Sequence, residues 1–235
     1  KPGDTVLAYC RKPVMKDGCY AEFVAIPQGY ATRKPDSLTY IEAAALPLSG
    51  LTAFQCLFDA VGLKAGETIL IHAAAGGVGS YAVQLAKDCG AQVIGSASRK
   101  NHDYVRALGA DEAIDYTAED FRVPMRRLHP EGVDVVFDCV GGDTLTRSPD
   151  VLKKKGRLVS ILDAAVVNQI KETGVDAHYV FVSPSGQQLG ALAAMASHGR
   201  LKINVTTVLQ LEQAAKAHEM IESNHTRGKI VLDVA

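Results

Sequence analysis

Ile69-Leu70-Ile71-His72-Ala73-Ala74-Ala75-Gly76-Gly77-Val78-Gly79 is the stretch whose reading decides the fold. An apolar run passes through a turn of small residues into a helical pattern. Val78, Ala82, Leu85 and Ala86 mark one helical face, and Gly90 sits at the stop. A strand, a glycine turn and a helix in that order present backbone N–H groups at a helix N-terminus. There the dipole favours an anion, and side chains would only obstruct it. Gly76 and Gly77, with the small Ala75 before them and Val78 after, permit a pyrophosphate to approach, while Gly79 lets helix and strand pack closely. A tight turn with no ligand is the plain alternative. The second strand that follows, Gln92 to Ser96, supplies the context a dinucleotide site requires.

Outward from this stretch, apolar strands alternate with longer helical segments, which signals βαβ units and a parallel sheet. Strands are expected at Thr68 to His72, Gln92 to Ser96, Ala113 to Asp115, Val133 to Asp138 and Arg157 to Leu162, with Tyr179 to Val182 as a further candidate. Their runs of Val, Ile and Leu suit a sheet covered by helices on both faces. Helices are expected at Val78 to Cys89, Asn101 to Leu108, Leu189 to His198 and Leu211 to Ile221. A helix over Thr144 to Lys154 would have to accommodate Pro149 by a kink or a late start, since an interior proline costs ~3 kcal/mol. The first forty residues read differently. Short β segments at Thr5 to Tyr9 and Tyr20 to Ile26 flank a loop over residues 11 to 18, and a short Ala-rich helix follows from Thr39 to Leu46.

The end of the second strand carries the cofactor preference. An acidic residue there would bond the adenosine ribose hydroxyls and repel a 2′-phosphate. Here the strand runs into Ala97-Ser98-Arg99-Lys100, a hydroxyl and two cations that suit a phosphate dianion. Cations at a helix start are disfavoured without a partner anion, so ordinary solvated charges explain the cluster less well. Tyr116, after the third strand, is a neighbour for the same phosphate or for the adenine. These residues predict NADP as the cofactor.

Composition narrows the remaining classes. The 235 residues are 47% hydrophobic and 22% charged, with a formal net charge of −1. That balance argues against a nucleic-acid or membrane-surface binder, either of which would show a basic excess. No apolar run approaches the ~20 residues of a membrane helix, and no export signal is recognisable. Five dispersed cysteines without a CxxC pair read as reduced thiols of a cytoplasmic protein. His72 reads as a satisfied core histidine, and His129, His218 and His225 as surface residues. The chain opens without Met on Lys1-Pro2-Gly3-Asp4 and enters a strand at once, as if inside a domain.

Several motifs in order resemble the medium-chain dehydrogenase/reductase superfamily. They are Leu46-Pro47-Leu48-Ser49-Gly50-Leu51-Thr52-Ala53, the segment His72 to Gly79, Leu108-Gly109-Ala110-Asp111, Val136-Phe137-Asp138-Cys139-Val140-Gly141-Gly142, and Arg227-Gly228-Lys229-Ile230-Val231-Leu232. The likeness covers essentially the whole chain, and its nearest branch is the zinc-independent, zeta-crystallin-like quinone oxidoreductases. It implies an α/β fold, a doubly wound parallel Rossmann sheet with helices on both faces plus a partial GroES-like β domain. Residues 48–204 would form the NADP-binding domain, residues 1–47 the partial substrate domain, and 205–235 would return to it. By comparison the chain lacks the opening part of that β domain.

The resemblance also assigns roles. Thr52 would lie near the nicotinamide end, and Cys139 and Val140 would flank the adenine and ribose. Ser160, Ile161 and Leu162, with Phe181 and Val182, would line the nicotinamide. Zinc-dependent relatives carry a ligand Cys where Leu48 stands, and an alkyl chain cannot ligate a metal. Their structural zinc needs four closely spaced cysteines where this chain has a short loop between Cys10 and Cys19. No metal site is therefore expected. Without a Lewis acid the substrate must accept hydride readily, as a quinone or an α,β-unsaturated carbonyl does by delocalising charge onto oxygen. The proton would come from water or a nearby hydroxyl, and no residue stands out as the acid. An enoyl reductase, freestanding or of the polyketide-synthase type, and a non-catalytic NADPH-binding protein are the alternatives. Family members commonly pair an edge strand to form a homodimer, for which the Tyr179 to Val182 segment is the candidate.

Overall fold

A computed structural model describes residues 1–12, 18–223 and 226–234. Most of the loop expected over 11–18, and His225, lie outside the described residues. In chain order the strands and helices are β1 (Val6–Ala8), β2 (Ala31–Arg33), α1 (Tyr40–Ala45), α2 (Pro47–Phe54), β3 (Thr68–Ile71), α3 (Gly77–Asp88), β4 (Gln92–Ser96), α4 (His102–Ala107) and β5 (Glu112–Ile114). They continue with α5 (Arg122–Leu128), β6 (Val133–Asp138), α6 (Gly142–Arg147), β7 (Leu152–Ser160), α7 (Ala164–Glu172), β8 (Asp176–Tyr179), α8 (Gly186–Ser197), β9 (Val205–Gln210), α9 (Ala214–Glu222) and β10 (Lys229–Asp233). Two compact units emerge, residues 52–181 and residues 1–51 together with 182–235.

The 52–181 unit is a six-stranded sheet in the order β5-β4-β3-β6-β7-β8. Every strand pair in it is parallel. Register places Ile94, Leu70, Val136, Leu158 and Ala177 on one face, and all are buried. Phe121, Met125 and Val151 pack on the β3–β4–β6 part of this face, and Leu145, Val167 and Ile170 on the β7–β8 part. The alternate residues Ile69, Ile71, Val93, Val135, Phe137 and Val159 are fully buried as well. Burial on both faces is the reason these strands are continuous apolar runs and not alternating ones.

The other unit holds two small sheets, antiparallel β1–β2 and parallel β9–β10. Helix α8 packs on β2 so closely that a Cβ at Gly186 would lie 2.4 Å from the Ala31 carbonyl oxygen. Thr39 caps α1 through a reciprocal box with Glu42, and α1 packs on β9 and β10. Lys229 Nζ donates to Ser49 Oγ at 2.8 Å and ties β10 to α2. Loss of hydration lowers that ammonium's pKa. Val6, Phe23 and Val24 are exposed.

Four expectations from sequence are corrected. Residues 20–26 form no strand; Phe23 is 88% exposed there, and β1 pairs instead with residues 31–33, beyond Pro27. The helix expected through Lys154 ends at Arg147, and Pro149 sits in the first turn of a separate 3₁₀ segment, Ser148–Val151, where it forfeits no helical bond. Strand β7 consequently starts at Leu152 and stops at Ser160, leaving Ile161 and Leu162 in the turn beyond. Strand β8 ends at Tyr179, where 179–182 had been expected.

Helix α3 meets its entry turn at Gly79, where an added Cβ would fall 2.2 Å from the Ala73 carbonyl oxygen and 2.8 Å from Ala74 Cα. Both neighbours are backbone, so the turn itself must move. Gly79→Ala is expected to destabilise the protein by about 2 kcal/mol. By differential scanning calorimetry this is a fall of roughly 4–8 °C in melting temperature.

Candidate functional site

Helix α3 begins at Gly76 with no side chain capping it and no acidic residue in its first turn. Its leading N–H groups are thus left for an outside acceptor. The turn is tight because Ala73 adopts a left-handed φ of 51° and Gly76 N–H donates to the Ala73 carbonyl at 2.9 Å. A methyl group at Gly76 would press on that carbonyl at 3.2 Å. Chain order reverses direction across the sheet between β3 and β6, with β4 and β5 on one side and β7 and β8 on the other. In open α/β sheets the ligand crevice lies at the carboxyl ends of the strands at this switch point. The cradle of small residues sits there, and a pyrophosphate fits it.

Most sequence-predicted residues converge on that edge. Ala75 to Val78 follow β3, Ser98 and Arg99 follow β4, and Tyr116 follows β5. Cys139 and Val140 follow β6, Ser160 ends β7 with Ile161 and Leu162 beyond, and Phe181 comes two residues after β8. Parallel pairing puts all six turns at one end of the sheet. Arg99, Tyr116, Val140, Leu162 and Phe181 are exposed. Thr52 stands apart, buried on α2, and Val182 is a buried residue of the other unit.

Three residues that organise this edge were not singled out from sequence. Asp138, buried at the end of β6, accepts from the N–H groups of Val140 and Gly141 at 3.1 Å and from Ser160 Oγ at 2.7 Å. Ser160 Oγ in turn accepts from Leu162 N–H at 3.0 Å. One carboxylate therefore joins the turns after β6 and β7. Burial raises its pKa, and the donated hydrogen bonds oppose the rise. The sequence signal was an acid closing an apolar strand three residues before Gly141, whose φ is 75°.

His102 lies buried beneath the Ser98 turn, with Nε2 3.2 Å from the Ala97 carbonyl and no partner for Nδ1 among the described residues. The third is Asp115. Thr117 grips its carboxylate by N–H at 3.0 Å and hydroxyl at 2.6 Å, and these bonds lower its pKa, helped by the charges of His102 and Arg99. An acidic group thus shares the Ser98–Arg99 corner, although it comes from β5 and not from the turn after β4.

His72 is the buried residue expected. Ser148 Oγ donates to the Thr144 carbonyl at 2.7 Å, so His72 Nε2–H donates to Ser148 Oγ at 3.3 Å and Nδ1 accepts from Ser96 Oγ at 3.0 Å. The ring stands edge-on to Phe121 at 4.6 Å. It ties the turn after β3 to β4 and to the segment after α6. His129 differs from its surface expectation: it is partly buried, with Nε2 3.3 Å from Glu112.

A doubly wound sheet with an uncapped glycine cradle at its switch point defines the class of dinucleotide-binding Rossmann proteins. Residues 108–232 match the family described as zinc-binding dehydrogenase. A probable zinc-binding mitochondrial oxidoreductase of Arthroderma benhamiae is 33% identical over all of this chain and 74% of its own length. Among solved structures, the quinone oxidoreductase of Coxiella burnetii superposes with a TM-score of 0.92 at 38% identity, covering 99% of this chain and 73% of that one. The Escherichia coli quinone oxidoreductase complexed with NADPH gives 0.78 at 30% identity, covering 88% and 69%. The chain belongs to the zinc-binding dehydrogenase family of the medium-chain dehydrogenase/reductase superfamily. It spans 63% to 74% of the length of its curated relatives. Among the described residues no group of three or more His, Cys, Asp or Glu is placed to hold a metal, and no helix is long and apolar enough to cross a membrane.

Burial holds the His72 pKa down to about 3, against 6.5 unfolded, so the folded protein keeps the ring neutral. Between these values the unfolded state binds the extra proton. Stability is therefore lost as pH falls below 6.5, by up to ~1.4 kcal/mol per pH unit. His72→Gln should unfold more readily at neutral pH yet show a shallower decline from pH 6.5 to 4.5 in urea titrations. Equal slopes for the two proteins would refute the burial argument.

Proposed function

We propose that this protein is an NADPH-dependent oxidoreductase that delivers hydride to a quinone or an α,β-unsaturated carbonyl without a metal. The observation that carries the reading is the uncapped cradle at Gly76, set at the switch point and followed by Ser98 and Arg99 at the next turn. Its relatives' names, quinone oxidoreductase and a complex with NADPH, point the same way. For the absence of zinc, the support is donor chemistry: Leu48 offers no ligand atom where zinc-dependent relatives carry cysteine.

Bound NADPH would supply the hydride. The chain's part is to hold and orient. Backbone N–H groups of Gly77 and Val78 would receive the pyrophosphate. Ser98 and Arg99 would take the 2′-phosphate by charge-assisted bonds, with Tyr116 exposed on the neighbouring turn. Asp138 would fix Cys139 and Val140 against the adenosine side and, through Ser160, Ile161 and Leu162 against the nicotinamide. Thr52, Phe181 and Val182 would complete the nicotinamide surroundings. Exposed apolar side chains at Leu162 and Phe181, on the nicotinamide side, suit a flat, poorly hydrated substrate. A proton would reach the product oxygen from water or a hydroxyl.

A second copy pairing along the β8 edge would give the homodimer. Five dispersed cysteines favour the cytoplasm, and the mitochondrial relative makes the mitochondrion the competing compartment for cell fractionation to separate.

Fluorescence titration should show NADPH binding more tightly than NADH. Arg99→Ala should weaken NADPH at least tenfold, about 1.4 kcal/mol, and leave NADH unchanged. Equal affinity for both cofactors would remove the NADP assignment. The same preparation should oxidise NADPH with 9,10-phenanthrenequinone or an enone after dialysis against a chelator. Tight binding without turnover would make the protein a binder, and loss of turnover on chelation would restore a metal.

A further inference from the structure

Two thiols of the unit formed by residues 1–51 and 182–235 are neighbours. Cys10 follows β1 by two residues, half-buried, and Cys19 is exposed nine positions later. Cys19 Sγ points at the Cys10 carbonyl oxygen at 3.6 Å, and Cys10 Sγ at the Ala8 carbonyl oxygen at 3.8 Å. The two side chains are close enough for Cys19 to raise the Cys10 pKa. With Cys19 Sγ already against the Cys10 backbone, side-chain rotation and a small backbone adjustment bring the sulfurs to the ~2.0 Å of an S–S bond. Cys139 also has a cysteine neighbour, Cys56, within the 52–181 unit. Cys56 is fully buried, with no route for an oxidant, and Cys89 points at the Leu63 carbonyl.

We propose that Cys10 and Cys19 are a reversible redox pair, oxidised to an intramolecular disulfide by glutathione disulfide or a similar small disulfide. The exposed Cys19 thiolate attacks one sulfur of glutathione disulfide and expels a glutathione thiolate, leaving a mixed disulfide. Cys10 then attacks the Cys19 sulfur, forms the Cys10–Cys19 bond and expels the second glutathione, which takes up the Cys10 proton. One glutathione disulfide is reduced to two glutathiones, and the protein loses two electrons and two protons.

The division of labour follows from the surroundings. Burial, and after it the neighbouring Cys19, push the Cys10 thiol up to about 11. It is therefore the poorer first nucleophile and acts once the mixed disulfide sits beside it. The charge of Lys12 pulls the Cys10 pKa the other way and Arg11 adds a second cation beside Tyr9, a positive setting that also suits the carboxylates of glutathione.

The test is to equilibrate the full chain with glutathione buffers of rising disulfide content, quench with acid and map thiols by mass spectrometry without reduction. The expected product has lost two hydrogens, carries a Cys10–Cys19 cross-linked peptide and returns to the starting mass with dithiothreitol. Cys10→Ser should instead accumulate one glutathionyl group on Cys19. Failure of the wild-type chain to form the 10–19 cross-link overturns the proposal, as does a persistent mixed disulfide at Cys19 with Cys10 still free. An unmodified Cys19 in the Cys10→Ser chain overturns the assigned order of attack.

Discussion

The close approach of α3 to the turn that precedes it is the constraint on which the site depends. Gly79 allows the helix to begin directly over Ala73 and Ala74, and this places the uncapped N-terminus at the end of β3. Had the first turn been capped by a side chain, as Thr39 caps α1, the same N–H groups would already be satisfied. The absence of a cap is destabilising for the isolated helix and useful only if an anion arrives. The neighbourhood compensates. His72 pins the turn through two hydroxyls, and Ile71 beside it is buried on both sides by β4 and β6. A rigid strand and a pinned turn hold an unsatisfied helix end in place.

The carboxyl edge of the sheet carries the rest of the candidate site by the same logic. Six turns leave the sheet there, and loops that carry side chains toward a ligand need anchors that do not compete for it. Asp138 is such an anchor. Its carboxylate is buried at a cost that three donated hydrogen bonds offset in part, and those bonds fix the turns after β6 and β7 together. Replacing it by an apolar residue would leave the buried Gly141 N–H and the part-buried Val140 N–H without this acceptor.

Much of this was legible in the sequence because it rests on local signals. A buried parallel strand is a run of Val, Ile and Leu, and a glycine turn between strand and helix is short and contiguous, so β3, β4, β6 and α3 fall where the pattern puts them. The failures are equally physical. Tyr20 to Ile26 has the composition of a strand, but a strand needs a partner ladder, and β1 finds its partner at 31–33. Pro149 signals a break without saying whether the chain beyond it resumes as helix or strand; only the pairing of Leu152 with Val133 decides. Asp138, His102 and Asp115 escaped notice because their meaning lies in contacts across the sheet, which no single-sequence pattern contains.

Asp115 bears most directly on cofactor choice. An acid on the turn after β4 would face the ribose hydroxyls and repel a phosphate; Asp115 arrives instead from the next strand, with Thr117 holding one of its oxygens through two hydrogen bonds. A carboxylate so tied is less free to reach out to a ribose. Its charge remains, and Arg99 is among the cations that stabilise it. Without a ligand, then, Arg99 balances Asp115 across an exposed corner where solvent screens both. A 2′-phosphate near neutral pH carries close to two negative charges and offers Arg99 bidentate bonds at short range, a stronger partner than a carboxylate already engaged by threonine. In the proposed complex the guanidinium is shared between them, and Lys100 beside it supplies the second cation that keeps the corner from becoming net negative.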